Sequence, residues 1–124
     1  MRHRIGGRQF GLPSDQRRAL LKGLLRSLII HKKIETTETR AKDLRVIAEK
    51  LVTKAKNDNS VHSRRIARTY FGGHSADDES IVKELFDVIA PQFTDRPGGY
   101  TRMAKVGIRR GDGAPLVILE FVND

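Results

Sequence analysis

Cysteine is absent from the chain, which excludes disulfides and every thiolate-based zinc site and fits a reducing compartment. Aromatic residues make up only 6%, too few for a platform that stacks successive bases of a single strand. No apolar run approaches the length of a membrane span. The opening MRHRIGGRQFGLP lacks the hydrophobic segment of a secretory signal, and it is too short before the first helix to read as a transit peptide. The expectation is a soluble, intracellular chain with no membrane partner.

Catalytic motifs are missing too. His3, His31, His62 and His74 are scattered, with no pair at metal-ligand spacing on one expected helix. There is no Gly-x-Ser-x-Gly elbow and no Walker loop, and GGYTR is not a dinucleotide fingerprint. Asp77, Asp78 and Glu79 are consecutive acids at an expected helix start, where they complement the dipole rather than hold a metal. The RGD at 110–112 falls in a turn, where a chance occurrence explains it best. No enzyme, cofactor or small-molecule substrate is expected.

What is present is positive charge, unevenly spread. Charged residues are 31% of the 124 and hydrophobic residues 38%, so part of the chain is expected to be ordered by something other than its own core. Residues 1–33 hold nine Lys/Arg against Asp15, a balance of +8, while the rest hold fifteen against fourteen acids, a balance of +1. Such concentration predicts a polyanion-binding arm rather than a merely solvated surface. Residues 1–13, with Arg2, His3, Arg4 and Arg8, have little to bury and are expected to be flexible when free.

Periodicity then predicts an α+β fold, with about four helices packed on a small antiparallel sheet. Ser14 is a plausible N-cap for a first helix that gathers Leu20, Leu21, Leu24, Leu25 and Leu28 on one arc. Arg18, Lys22 and Arg26 form a stripe roughly 130° away, with Arg17 at the basic start. Ile34 to Thr36 reads as extended. Thr37 then opens a second helix whose seam is Ala41, Leu44, Ala48, Leu51 and Ala55. A short basic helix near 60–70 follows. An acidic fourth starts at Asp77 or Asp78, stops at Pro91 and faces away from any polyanion.

At the C-terminus the period changes. GGYTRMAKVGIRRGDGAP holds five glycines with Arg102, Lys105, Arg109 and Arg110, and PLVILEFV is a nearly continuous apolar run. That pattern predicts a hairpin with a longer loop, its return strand inside the sheet and Ile34 to Thr37 adding a third strand. A nucleotide-cradling loop would lead into a helix; this one leads into a strand. The division expected is an arm, 1–13, and one α+β domain, 14–124.

Arginine-rich binding to phosphates and shape, with a tail that folds on contact, is the pattern expected for structured RNA. Here the chain resembles the bacterial large-subunit ribosomal protein family seventeen over nearly its whole length. The residues that carry the resemblance are MRH with the Gly-Arg at 7–8, RSLIIHKKIETTETRAKDLR, and FDVIAPQFTDRPGGYTRMAKVGIRRGDGAPLVILEF. FGLPSDQ, at 10–16, departs from the commonest pattern, with Gln16 where many members have histidine. Residues 70–78 are longer than usual.

The resemblance implies a structural component of the large ribosomal subunit that binds large-subunit rRNA near the outer end of the nascent-peptide tunnel, beside neighbouring large-subunit proteins. The ribosome meant is cytoplasmic, with an organellar one left open. Arg2, His3, Arg8, Arg17, Lys42, Arg45, Tyr100, Arg102, Gly111 and Asp112 match family positions. Charge and geometry alone add Arg4, Arg18, Lys22, Arg26, Lys105, Arg109 and Arg110. Tyr100 is equally a half-buried core residue or a base stacker, and Asp112 reads as a turn former. A nucleoid-type DNA-binding protein and a protein–protein adaptor are the alternatives.

Overall fold

The computed structural model describes residues 14–71 and 76–122. The basic arm, with Arg2, His3, Arg4 and Arg8, lies outside the described residues, as does most of the loop before the fourth helix. Four helices alternate with and precede three strands: α1 (Ser14–His31), β1 (Lys33–Thr37), α2 (Glu38–Asn57), α3 (Val61–Thr69), α4 (Ala76–Glu84), β2 (Thr101–Ile108) and β3 (Pro115–Phe121). The sheet is antiparallel throughout, in the order β1-β3-β2. The apolar return strand is therefore central, and the short link from α1 is its third strand.

The core forms where the periodic faces meet. The expected seam of α2 is buried along its whole length, and Val52 joins it. Alanine at three of the seam positions lets the helix lie close to its neighbours, while Leu44 and Leu51 fill the remaining space. From α1 the fully buried residues are Leu25, Leu28 and Ile29. Leu20, Leu21 and Leu24 stay only half-buried. In β3, Val117, Leu119 and Phe121 point into the core, and Leu116, Ile118 and Glu120 form a half-covered outer face. Each fully buried aliphatic side chain contributes about 1.5–3 kcal/mol before the cost of ordering it.

Two junctions fix how the layers meet. Lys32 follows α1 with a φ of 68°, the left-handed region that ends many helices but usually belongs to glycine. Its hydrogen bonds offset that conformation. The backbone N–H donates to Leu28 (2.8 Å), the ammonium donates to the Ile29 carbonyl (2.9 Å) and pairs with Glu84, and the carbonyl accepts from Phe121 N–H (3.2 Å). One residue thus ties α1 to α4 and to β3.

The second junction differs from the sequence expectation. The chain does not leave helical form at Pro91. It widens to a π-turn over Leu85–Ile89, where Ala90 N–H bonds to the Leu85 carbonyl, then tightens to a 3₁₀ turn over Ala90–Phe93. Proline has no N–H to give and would crowd the carbonyl four residues back. The change of pitch accommodates it, while Ile89, Ala90 and Phe93 remain buried.

Candidate nucleic-acid interface

Acids on α4 and the π-turn decide where the positive charge of this chain remains. Asp78, 2% exposed, pairs with Arg26, which also donates to the Phe71 carbonyl at 2.8 Å. Glu79 pairs with Arg68 (3.0 Å), Asp87 with Arg64 (2.7 Å), and Glu84 with Lys32. The Arg64 guanidinium also lies 5.0 Å from the Phe86 ring centre. Arg26 of α1, Lys32 just after it, and Arg64 and Arg68 of α3 are thus paired with acids of α4 and the π-turn. Arg26 is accordingly separated from the stripe it shares with Arg18 and Lys22 in the sequence, since its charge is engaged within the fold.

Arg17, Lys22, Lys105 and Arg110, by contrast, have no ion pair to another described residue. Arg18 and Lys22 sit one turn apart on α1 and line a groove with Leu21, Leu25, Ile47, Thr69 and Tyr70. The cationic stripe and the leucine arc, which helical geometry sets apart on paper, meet along this one edge. Tyr70 and Ile47 come from other elements, and no local pattern in the sequence flags them.

The hairpin presents its cations differently. Arg109 is held by Asp112, which accepts from its Nε at 3.1 Å, and Asp112 also accepts from Ala114 N–H at 3.2 Å. The Arg109 guanidinium holds the Asp112 carboxyl well down, to about 2. The turn former expected from the sequence is therefore also a counter-ion. Gly111 and Gly113, with φ of 98° and 68°, supply conformations closed to most side chains, and Gly113 N–H closes the loop on the Arg109 carbonyl at 3.1 Å. Lys105 and Arg110 are left exposed on either side. Arg102 pairs with Glu120 on the adjacent strand at 2.6 Å.

Lys42 pairs with Glu38 (3.3 Å) and Arg45 with Glu49 (3.5 Å), both along α2 and both part-exposed. Glu49 also accepts from Thr101 Oγ1 at 2.9 Å, so Arg45 stands over a contact that fastens β2 to α2. A second groove brings Arg40 and Lys42 to Ala114 and Pro115 at the base of the hairpin. Arg40, with Lys50 and Lys54 along a third groove beside Tyr100, adds cations that the family motifs and charge runs did not single out.

Tyr100 resolves in favour of the core. It is 1% exposed, its ring meets Phe93 at 5.2 Å, its hydroxyl accepts from Thr53 Oγ1 at 3.1 Å, and Lys56 lies 5.1 Å from the ring centre. A ring so enclosed has no face to offer a base. Among the described residues no helix is long and apolar enough to cross a membrane.

Residues 20–122 match the family model described as ribosomal protein L17. The chain is 55% identical over 117 residues to the large ribosomal subunit protein bL17 of Clostridium beijerinckii, covering 94% of this chain and 98% of that one. It is 52% identical over 118 residues to the protein of the same name from a Thermoanaerobacter species, covering 95% and 100%. Against that of Thermodesulfovibrio yellowstonii it is 51% identical over 123 residues, covering 99% and 88%.

Proposed function

The chain belongs to the ribosomal protein L17 family, and from that premise we propose that it is a structural constituent of the large ribosomal subunit that clamps large-subunit rRNA near the nascent-peptide exit region. A structural role in the ribosome, and so in translation, follows from the family itself. The RNA reading is carried by one observation, the partition of charge. Acids of α4 and the π-turn pair with Arg26, Lys32, Arg64 and Arg68, while Arg17, Lys22, Lys105 and Arg110 have no ion pair to another described residue.

The mechanism is assembly. Phosphates of neighbouring rRNA segments repel one another, and cations fixed on a rigid body between them remove that repulsion. The arm, with Arg2, His3, Arg4 and Arg8, adds to the same chemistry. The exit-region placement and the neighbouring large-subunit proteins come from the resemblance of the motifs. The bacterial relatives point to the cytoplasmic ribosome.

A sucrose gradient of lysate containing a C-terminally tagged copy, at low salt and after a high-salt wash, tests this reading. Retention on the large subunit through the wash is the expected result. Release from the particle, or migration with bulk DNA, would contradict it.

A further inference from the structure

We propose that the Asp112–Gly113 bond in the β2–β3 hairpin is a site of spontaneous isoaspartate formation, and that Arg109 is the residue that restrains it. The inference goes beyond the RNA reading and does not rest on it. Asp112–Gly113 is the one Asp-Gly pair in the sequence, and there is no Asn-Gly. Glycine suits the reaction because no Cβ shields its amide nitrogen or limits its approach to the preceding carboxyl. Both residues are exposed, so the water that the chemistry releases and takes up has access.

The reaction runs in two steps. The Gly113 amide nitrogen gives up its proton to solvent and attacks the protonated Asp112 carboxyl at Cγ. A C–N bond forms, and the C–O bond breaks as water leaves. The succinimide so made then adds water. Opening at the side-chain carbonyl restores aspartate. Opening at the main-chain carbonyl leaves isoaspartate, with the backbone one carbon longer and the composition unchanged.

Both partners in that ring closure are tied to the same residue. The Gly113 N–H donates to the Arg109 carbonyl at 3.1 Å. The Asp112 carboxylate accepts from Arg109 Nε at 3.1 Å, pairs with Arg109 Nη2, and accepts from Ala114 N–H at 3.2 Å. Closure must break the first of these bonds to free the nitrogen, and must swing the carboxyl out of the others. The guanidinium also keeps the carboxyl ionised, at about 2 rather than 3.8, and an ionised carboxyl has no water to lose. The turn thus carries a labile bond and its restraint together.

Warm incubation of the full chain at neutral pH in heavy-oxygen water tests this, with isoaspartate read by mass spectrometry on the tryptic peptide that carries Asp112. The native parent should form it at least about tenfold more slowly than the parent unfolded in urea, since each unit by which the carboxyl rises multiplies its protonated fraction by about ten. Native Arg109→Gln should be faster than the native parent by about the same factor. Arg110→Gln removes a neighbouring charge but none of these contacts, and should match the parent. No isoaspartate even in urea would overturn the site. Equal rates in the native and unfolded parent, equal acceleration by the two glutamine variants, or none by Arg109→Gln would overturn the restraint. Where Arg109→Gln loosens the hairpin, seen as lost amide protection in β2 and β3, Arg109→Lys decides. A rate nearer the parent's supports the ion pair as the restraint, and a rate equal to the glutamine variant's overturns it.

Discussion

Arg26 shows how much a single contact changes the meaning of a charge. By spacing it belongs with Arg18 and Lys22; by structure it is held by Asp78, whose side chain is 3% exposed. Removing the acid leaves a half-buried guanidinium with its largest compensation gone. Asp78→Ala should therefore cost about 3 kcal/mol, the lower end for breaking a buried pair, read as a lower urea midpoint at unchanged slope. Tyr100 makes the same point for an aromatic. Tyr100→Phe should cost about 1 kcal/mol through the lost Thr53 hydrogen bond, with no change in RNA affinity for the folded protein. Neither outcome follows from the sequence, because Asp78 and Thr53 are remote from the residues they engage.

Asp112 carries a prediction in pH. Its carboxyl falls from 3.8 to about 2 in the folded hairpin, chiefly through its hydrogen bond with Arg109. A depressed folded value means the contribution is complete above the unfolded value near 4 and is lost as pH falls through about 2. The Ala114 amide resonance should thus titrate near pH 2, and Arg109→Gln should move that midpoint up toward 4.

At the scale of elements, periodicity did most of the work. The α2 seam, the four helices and the three-strand antiparallel sheet all follow from apolar spacing and from the change of period near Tyr100. Hydrophobic repeats report burial directly, and α2 and β3 are buried on the faces the repeats mark. Pitch changes are less legible: Pro91 signals a stop, but tertiary burial of Ile89 and Phe93 keeps the backbone turning through it. Caps are also less legible: Thr37 precedes α2 without a side-chain cap hydrogen bond, whereas the cap that α3 uses is a serine that the sequence reading does not single out. Ser60 accepts from Ser63 N–H at 3.2 Å at the start of α3, so Ser60→Ala should cost about 1 kcal/mol, measured by thermal melting. The same change should leave β2 and β3 amide protection intact.

Among the described residues, acids of α4 and the π-turn pair with some of the cations and leave without an ion pair others that the proposed function assigns to RNA. Charge concentration in the first quarter of the chain was visible from composition; the pairing was not, because it depends on α4 packing against α1 and α3. The ribosomal assignment came from motifs at the hairpin and around β1, and family membership agrees with it. The charge partition is the central claim, and salt dependence of rRNA binding tests it most directly. Each phosphate neutralised contributes roughly 0.7–0.9 to the slope of log K against log salt. Lys22→Gln and Arg110→Gln should each flatten that slope by about this amount, and Arg64→Gln, whose charge is already paired with Asp87, should leave it unchanged. Equal flattening by all three, or by none, would contradict the partition.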